Sequence, residues 1–86
     1  MSLTHAYWNP PIIKAGESST FTVEGIPSTG YITGPGAPSG DVNVPGTFTH
    51  TFQSAGRYTW SYNTEKLGKE ITPGGGQSAF ANIIVN

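Results

Sequence analysis

The sequence has no cysteine and few charged residues. Of its 86 residues none is Cys, and charged residues make up 10%, against about 25% in an ordinary soluble domain. Without cysteine, neither a disulfide nor a thiolate metal site can stabilise a small core. The net charge is -1 with only four lysines and arginines. The clustered cations that bind nucleic acid are therefore missing, and we expect no nucleic-acid partner.

Targeting segments and long apolar runs are also missing. The N-terminus from Met1 to His5 has neither the basic start nor the apolar run of a signal peptide. No apolar stretch approaches the ~20 residues that span a bilayer, so we expect no membrane partner. A start at Met1 fits an entire small gene product, and a trimmed chain would look the same. The chain 1–86 is predicted to form a single domain with a thin core.

Short runs rich in Thr, Phe, Tyr, Val and Ile take the place of helices. Glycine and proline, at 12 and 7 residues, interrupt the chain every few positions. The runs between them alternate polar and apolar side chains with the period of a strand, most clearly at 18–24, 47–52 and 57–62. The sequence predicts an all-β fold: a small Ig-like β-sandwich of about seven short, mostly antiparallel strands.

Prolines and glycines set the expected strand boundaries. The run 5–8 ends at Asn9-Pro10-Pro11. Because proline cannot donate to a ladder, this run is predicted to be an edge strand or a kink between two edge segments. Residues 25–40 are expected to be loop-rich around a short strand at 31–33, and unsuited to a central strand. Residues 63–76 are predicted to form a second loop.

The segment from Phe48 to Tyr62 reads FTHTFQSAGRYTWSY and is expected to form a hairpin-like corner. It resembles the corner between strands E and F of immunoglobulin-like and PKD-like domains, of the kind found in tailed-phage virion proteins. The resemblance implies a tyrosine corner, in which the Tyr58 hydroxyl bonds back to the preceding loop. Gly56 would lie in the turn, and Trp60 would be an aromatic plug of the core. The upstream segment IIKAGESSTFTVE resembles the early strands of phage Ig-like modules.

A weaker similarity is to cupredoxins, which share the order of a Phe-rich strand, a Gly-x-Tyr turn, an aromatic strand and a closing hydrophobic strand. Their copper site needs a cysteine thiolate and two histidines. This chain has no Cys, and neither His5 nor His50 lies in the expected ligand loop. We therefore expect no copper and no other cofactor.

Residues that could carry catalysis are scattered along the chain. Spacing pairs none of the five acids, and the serines lack an activating base. His50 alternates with Phe48 and Phe52, and it is interpreted as a half-buried strand histidine that bonds a backbone group. We therefore expect no enzymatic activity. The five acids are Glu17, Glu24, Asp41, Glu65 and Glu70.

The aromatic residues divide into expected core and expected surface. Tyr58, Trp60 and Tyr62 share one face of a strand and are predicted to lie in the core. Residues near edges and loops, together with the only two lysines close in sequence, are the candidates for partner contact. These candidates are Tyr7, Trp8, Tyr31, Lys66 and Lys69.

Two hypotheses for function remain. In the first, the protein is a capsid decoration (cement) or tail-associated protein of a tailed-phage virion. Its edge strands and the regions 25–46 and 63–76 would bind across the seams between protein subunits, with self-association into a homo-oligomer as a further option. In the second, it is an Ig-like or carbohydrate-binding module of a larger cell-surface or secreted protein, and its exposed aromatic residues would stack on a glycan.

Overall fold

The chain folds into strands joined by short turns, and the prediction of a small all-β domain is confirmed. The computed structural model describes residues 4–66, 69–70 and 76–86, with the backbone alone for Lys66, Lys69 and Glu70. No helix long and apolar enough to cross a membrane occurs in these ranges. The described strands are β1 (His5–Asn9), β2 (Ile12–Ile13), β3 (Ser18–Thr33), β4 (Asp41–Thr51), β5 (Gly56–Asn63), β6 (Glu65–Lys66), β7 (Lys69–Glu70) and β8 (Ser78–Val85).

Six of these strands form one curled sheet with β3 at its centre. β4 pairs along one edge of β3, while β1 and β5 pair in turn along the other. β5 continues the sheet to β8, and β2 joins the far side of β8. All of these ladders are antiparallel except that between β2 and β8. β6 and β7 form a separate two-stranded ladder inside the region predicted as a loop at 63–76, so that prediction is wrong there.

The central strand β3 overturns the prediction of a loop for residues 25–30, whereas the strand at 31–33 and the loop at 34–40 are as predicted. β3 is 16 residues long and continues to Thr33. Its register against β4 jumps from Val23 to Ser28, which leaves 24–27 opposite Pro45 alone. Proline is tolerated in such an irregularity because no ladder N–H is required there. Gly25, Pro27 and Pro45 therefore lie at an irregularity within the sheet and do not end β3.

The double proline behaves as predicted. β1 pairs with β3, whereas β2 begins directly after Pro11 and pairs with β8. The carbonyl of Pro11 accepts the Ile84 N–H at 3.0 Å, and that of Ile13 accepts the Asn86 N–H at 2.8 Å. The prolines thus carry the chain between two edge segments, from one half of the curled sheet to the other.

Side chains from the two halves of the sheet meet in an aromatic core. Trp60 is 1% exposed and Tyr62 is fully buried, which confirms that the aromatic face of β5 points inward. The Trp60 ring lies 4.8 Å from that of Trp8 and 5.5 Å from that of Phe21, both in edge-on arrangements. The remaining buried apolar side chains are Ile13, Val23, Ile32, Val42, Val44, Phe52, Ile83 and Val85.

The turn between β4 and β5 contains the predicted tyrosine contact but not the predicted hairpin. The Tyr58 hydroxyl donates to the Ser54 carbonyl at 2.7 Å. Gly56, at the start of β5, has a φ of +153°. In the described ladders β4 pairs with β3, and β5 pairs with β3 and β8, so the two strands lie in different halves of the sheet. The hairpin prediction is wrong because the turn crosses between these halves.

Candidate functional site

The curled sheet has an open seam where β1 and β8 lie side by side. The described ladders pair β1 with β3, and β8 with β5 and β2, and none joins β1 to β8. One side-chain bond crosses the seam, from the Trp8 indole N–H to the Ala81 carbonyl at 3.2 Å. At the end where both strands begin, the Thr4 hydroxyl bonds the side-chain oxygen of Gln77. Side chains therefore hold the two strands together, and no backbone ladder is described between their facing edges.

The seam edge of β1 carries backbone groups that face β8. His5 and Tyr7 are paired with Glu24 and Thr22 of β3. The carbonyl of Glu17, just before β3, accepts the N–H of Phe52, just after β4. Because the backbone groups of successive residues in a strand point to alternate neighbours, the even-numbered residues of β3 direct theirs toward β1. The same alternation directs the N–H and C=O of Ala6 toward the seam.

The facing edge of β8 follows the same rule. Ile84 donates its N–H to the segment before β2, on the side of β8 away from β5. Ser78 and Phe80 are separated from Ile84 by even numbers of residues, so their backbone groups point to that side too. Beyond the end of β2 this side of β8 is the seam. Cα atoms of β1 and β8 approach within 8 Å, whereas a strand inserted between two others needs them about 9.6 Å apart. An extended chain at the seam would therefore pair with one of these edges at a time.

A groove of about 470 Å³ opens at the end of the seam where both strands begin. Its floor includes Tyr62, which is fully buried and shares a 2.7 Å hydroxyl bond with Ser28. Gly30 makes room for this ring, because a Cβ there would lie 2.8 Å from it. The lining residues are Thr4, His5, Ala6, Ser61, Tyr62, Asn63, Ser78, Ala79 and Phe80.

Phe80 is the most exposed large apolar side chain of the described residues, at 66%. It lies on the outer face of β8 opposite Ser61, and Asn63 and Ser78 form the next pair on that face of the ladder. Phe80 was not among the residues predicted to contact a partner. The signal was available: Ile83 and Val85 are buried, and strand alternation puts Phe80 on the opposite face.

The start of β8 is fixed by a pair of bonds beneath the groove. Thr64 is fully buried. Its N–H donates to the Gln77 carbonyl at 3.0 Å, and its hydroxyl accepts the Gln77 N–H at 2.9 Å. These bonds extend the β5–β8 pairing by one residue past Asn63 and Ser78. The wall of the groove on the side of β8 is therefore hydrogen-bonded to the end of β5.

The groove offers hydroxyl, amide and imidazole groups beside one exposed ring. Ser61, Asn63 and Ser78 supply uncharged donors and acceptors, and His5 lies on the opposite wall. Among the described residues no three His, Cys, Asp or Glu side chains lie together in a group that could hold a metal ion. Hydrogen bonding and apolar contact are the interactions this arrangement supports, with either a peptide or a sugar.

The aromatic residues predicted to contact a partner differ in exposure. Trp8 is a correction: it is 4% exposed, because it lies opposite Phe21 on the inner face of the sheet. Tyr7 points outward and is 37% exposed, with its ring 5.3 Å from that of His5. Tyr31 is half-buried in β3.

The two lysines of the prediction, Lys66 and Lys69, are backbone partners in the β6–β7 ladder. Their side chains lie outside the described part of the structure. The partner-contact prediction for these lysines stays a prediction.

His50 is half-buried, as predicted, and it packs against aromatic rings. Its ring meets that of Phe52 edge-on at 4.6 Å and lies 5.8 Å from that of Trp60. Gly36 lies so close that an added Cβ would be 2.4 Å from the His50 Nε2 atom. These contacts describe a side chain packed against the aromatic core.

Comparison with known proteins gives no match to a family model, to a curated protein or to a solved structure.

Proposed function

We propose that this protein is a non-enzymatic binding domain that adds an extended segment of a partner protein to the β8 edge of the seam, beside Phe80. The observation that carries the proposal is the unladdered edge of β8 beside Phe80. Strand addition gives affinity through backbone hydrogen bonds and specificity through alternate side chains. Phe80 and the small residue Ala79 would provide the side-chain contacts.

The charge distribution supports a protein partner in a multi-copy assembly. The chain has four cations and five acids in all. Ser61, Asn63 and Ser78 around Phe80 are uncharged, so a partner segment can cover them without desolvating a charge. Individually weak contacts become strong when many copies bind one particle. We propose the virion of a tailed phage as that assembly, with this chain as a capsid decoration or tail-associated protein.

The immunoglobulin-like character of the domain belongs to the same proposal. Two features support it: the switch of the first segment from β3 to β8 at the double proline, and the Tyr58 hydroxyl bond to Ser54. In Ig-like domains the conserved tyrosine of this corner bonds the backbone a few residues upstream. Domains of this architecture present their edges and end loops to partners.

The test is co-sedimentation with particles of the encoding phage that were assembled without this protein. We expect the wild-type chain to sediment with the particles and Phe80→Ser to lose at least about tenfold in apparent affinity, since a buried aromatic anchor contributes about 2 kcal/mol or more. Ile12→Ser is the matched control: it removes a side chain that is 57% exposed at the opposite end of β8, and it should bind like the wild type. Equal binding by Phe80→Ser and the wild type would exclude the groove.

A glycan is the second candidate, and the exposure of Phe80 beside Asn63 favours it. A sugar ring can stack on an aromatic face while amide and hydroxyl groups bond its hydroxyls. Calorimetric titration with a panel of bacterial oligosaccharides separates the two functions. Saturable heat that disappears in Phe80→Ser, together with no binding to particles, would replace the assembly function with glycan binding.

A further inference from the structure

The outer edge of β4 is a second, independent edge of the sheet. β4 is 11 residues long, and its described ladder is with β3 alone. The half that follows Pro45 reads GTFTHT and carries neither a charge nor a proline. Natural sheets protect their edges with lysines, prolines, bulges or short strands. Past Pro45, this edge has none of these protective features.

The direction of the backbone groups on this edge follows from one bond. The Phe52 N–H donates to the Glu17 carbonyl of the β3 segment at 3.1 Å. Alternation then turns Phe48 and His50 toward β3 and directs the N–H and C=O of Thr47, Thr49 and Thr51 away from it. Three alternate residues with outward-facing backbone groups make the edge a template for another strand.

The sequence of the edge is complementary to itself in one antiparallel register. With a two-fold axis at Thr49, the Thr49 residues of the two copies lie opposite each other. Thr47 of each copy then lies opposite Thr51 of the other. The inner face then pairs Phe48 with His50, both half-buried in the single chain. No pair in this register places like charges together, and threonine pairs and aromatic pairs stabilise adjacent strands.

The neighbouring ladder already shows the threonine contacts that such a pairing repeats. The hydroxyls of Thr20 and Thr49 are 3.0 Å apart, and those of Ser18 and Thr51 are 2.6 Å apart. A second β4 would continue this row of hydroxyls across the new ladder. Pro45 sets the limit of the pairing at one end because it has no N–H to donate.

We propose that two copies of this chain associate through their β4 edges, antiparallel about Thr49, to form a continuous sheet across a two-fold axis. A pairing of this length forms a small interface and therefore a weak dimer. The two seams stay open, so the dimer would hold two partner segments. The inference goes beyond the proposed function, because the seam and the β4 edge lie on different strands and either can fail alone.

Analytical ultracentrifugation over a concentration series tests the association. We expect the mass to rise from the monomer value of 9.1 kDa toward twice that value as the concentration increases to about 1 mM, the range of a weak interface. Thr49→Lys places two lysines face to face on the axis and should weaken the dimer at least tenfold. Thr20→Lys is the matched control, because it adds the same charge and breaks the same Thr20–Thr49 contact one strand away from the edge.

Cross-linking then tests the register. Because the chain has no cysteine, any disulfide that forms must involve the introduced residue. Under mild oxidation Thr49→Cys should form a disulfide-linked dimer, since directly opposed residues lie within disulfide range. Thr47→Cys alone should not cross-link to itself, but it should cross-link when mixed with Thr51→Cys. A chain that stays monomeric throughout the series, or a dimer that Thr49→Lys leaves intact, would overturn the proposal and assign the edge to a different protein or to solvent.

Discussion

At the scale of single residues, strand alternation assigns opposite roles to aromatic side chains of similar size. Trp8 is 4% exposed and its ring lies 4.8 Å from Trp60, whereas Phe80 is 66% exposed. Removing a buried ring forfeits its transfer free energy and leaves a cavity. Removing an exposed ring changes little in the fold. The stability of the domain and its binding are therefore separable by mutation.

This separation gives a direct prediction. Trp8→Ala should destabilise the fold by about 3–5 kcal/mol, a large part of the roughly 4–13 kcal/mol expected for a chain of this size. Phe80→Ser should change the free energy of unfolding by less than about 0.5 kcal/mol. Urea denaturation followed by circular dichroism measures both. Equal losses in the two variants would contradict the assignment of Phe80 to the surface.

The hydroxyl of Tyr58 provides a second prediction at this scale. Tyr58→Phe removes the 2.7 Å bond to the Ser54 carbonyl and keeps the ring, which lies 4.9 Å from that of Phe52. We expect a loss of about 0.5–1 kcal/mol, the net value of one hydrogen bond near the surface. Tyr7→Phe is the control on an exposed ring and should leave the urea midpoint unchanged. An unchanged midpoint for Tyr58→Phe would mean that the turn does not depend on this bond.

At the scale of elements, short-range patterns were predictable and long-range pairings were not. The alternation at 18–24 and 47–52 and the kink at the double proline follow from local rules, and the structure confirms them. The continuation of β3 through Pro27 was missed because proline reads as a stop unless the partner strand is known. Pro45 of β4 lies opposite the same irregularity, and this coincidence exists only in the folded ladder.

The candidate site shows the same division. The burial of Trp60 and Tyr62 could be predicted from their shared face, but the exposure of Trp8 was predicted wrongly from its nearness to the prolines. The seam itself could not be predicted, because it depends on which strands remain unpaired after the sheet curls. The outward direction of Phe80 could have been predicted from the alternation of side chains along a strand.

The alternation along β4 makes a prediction for proline substitutions. The N–H of Thr49 points outward, so Thr49→Pro loses no ladder bond, and the chain should stay folded with a loss of about 1 kcal/mol for the Thr20 contact. His50→Pro removes a donor that faces Ser19 of β3 and leaves a buried carbonyl without its partner, at a cost of about 1–3 kcal/mol before any steric clash. Near-ultraviolet circular dichroism and urea midpoints compare the two. A larger loss of stability in Thr49→Pro than in His50→Pro would refute the orientation of the backbone groups on which the dimer depends.

At the scale of the whole molecule, β8 connects parts of the chain that are distant in sequence. It forms ladders with β5 and β2, and its Ala81 carbonyl accepts the Trp8 indole bond across the seam. Ile83 and Val85 contribute buried side chains to the core. The two halves of the sheet therefore depend on β8 for their closure, and a domain with so thin a core has little stability to spare.

Removing β8 should consequently unfold the domain, and supplying it separately should restore the fold. We expect a chain ending at residue 76 to lose the near-ultraviolet signal of Trp8 and Trp60, because the core they share is opened. A synthetic peptide of residues 77–86 should recover that signal through the β5 ladder, as strand complementation does in other sheets. The same peptide with Ile83→Asn and Val85→Asn keeps every backbone donor but cannot fill the core, so it should fail. Recovery by this variant would mean that backbone pairing alone closes the sheet, and a native signal in the shortened chain would show that closure does not require β8.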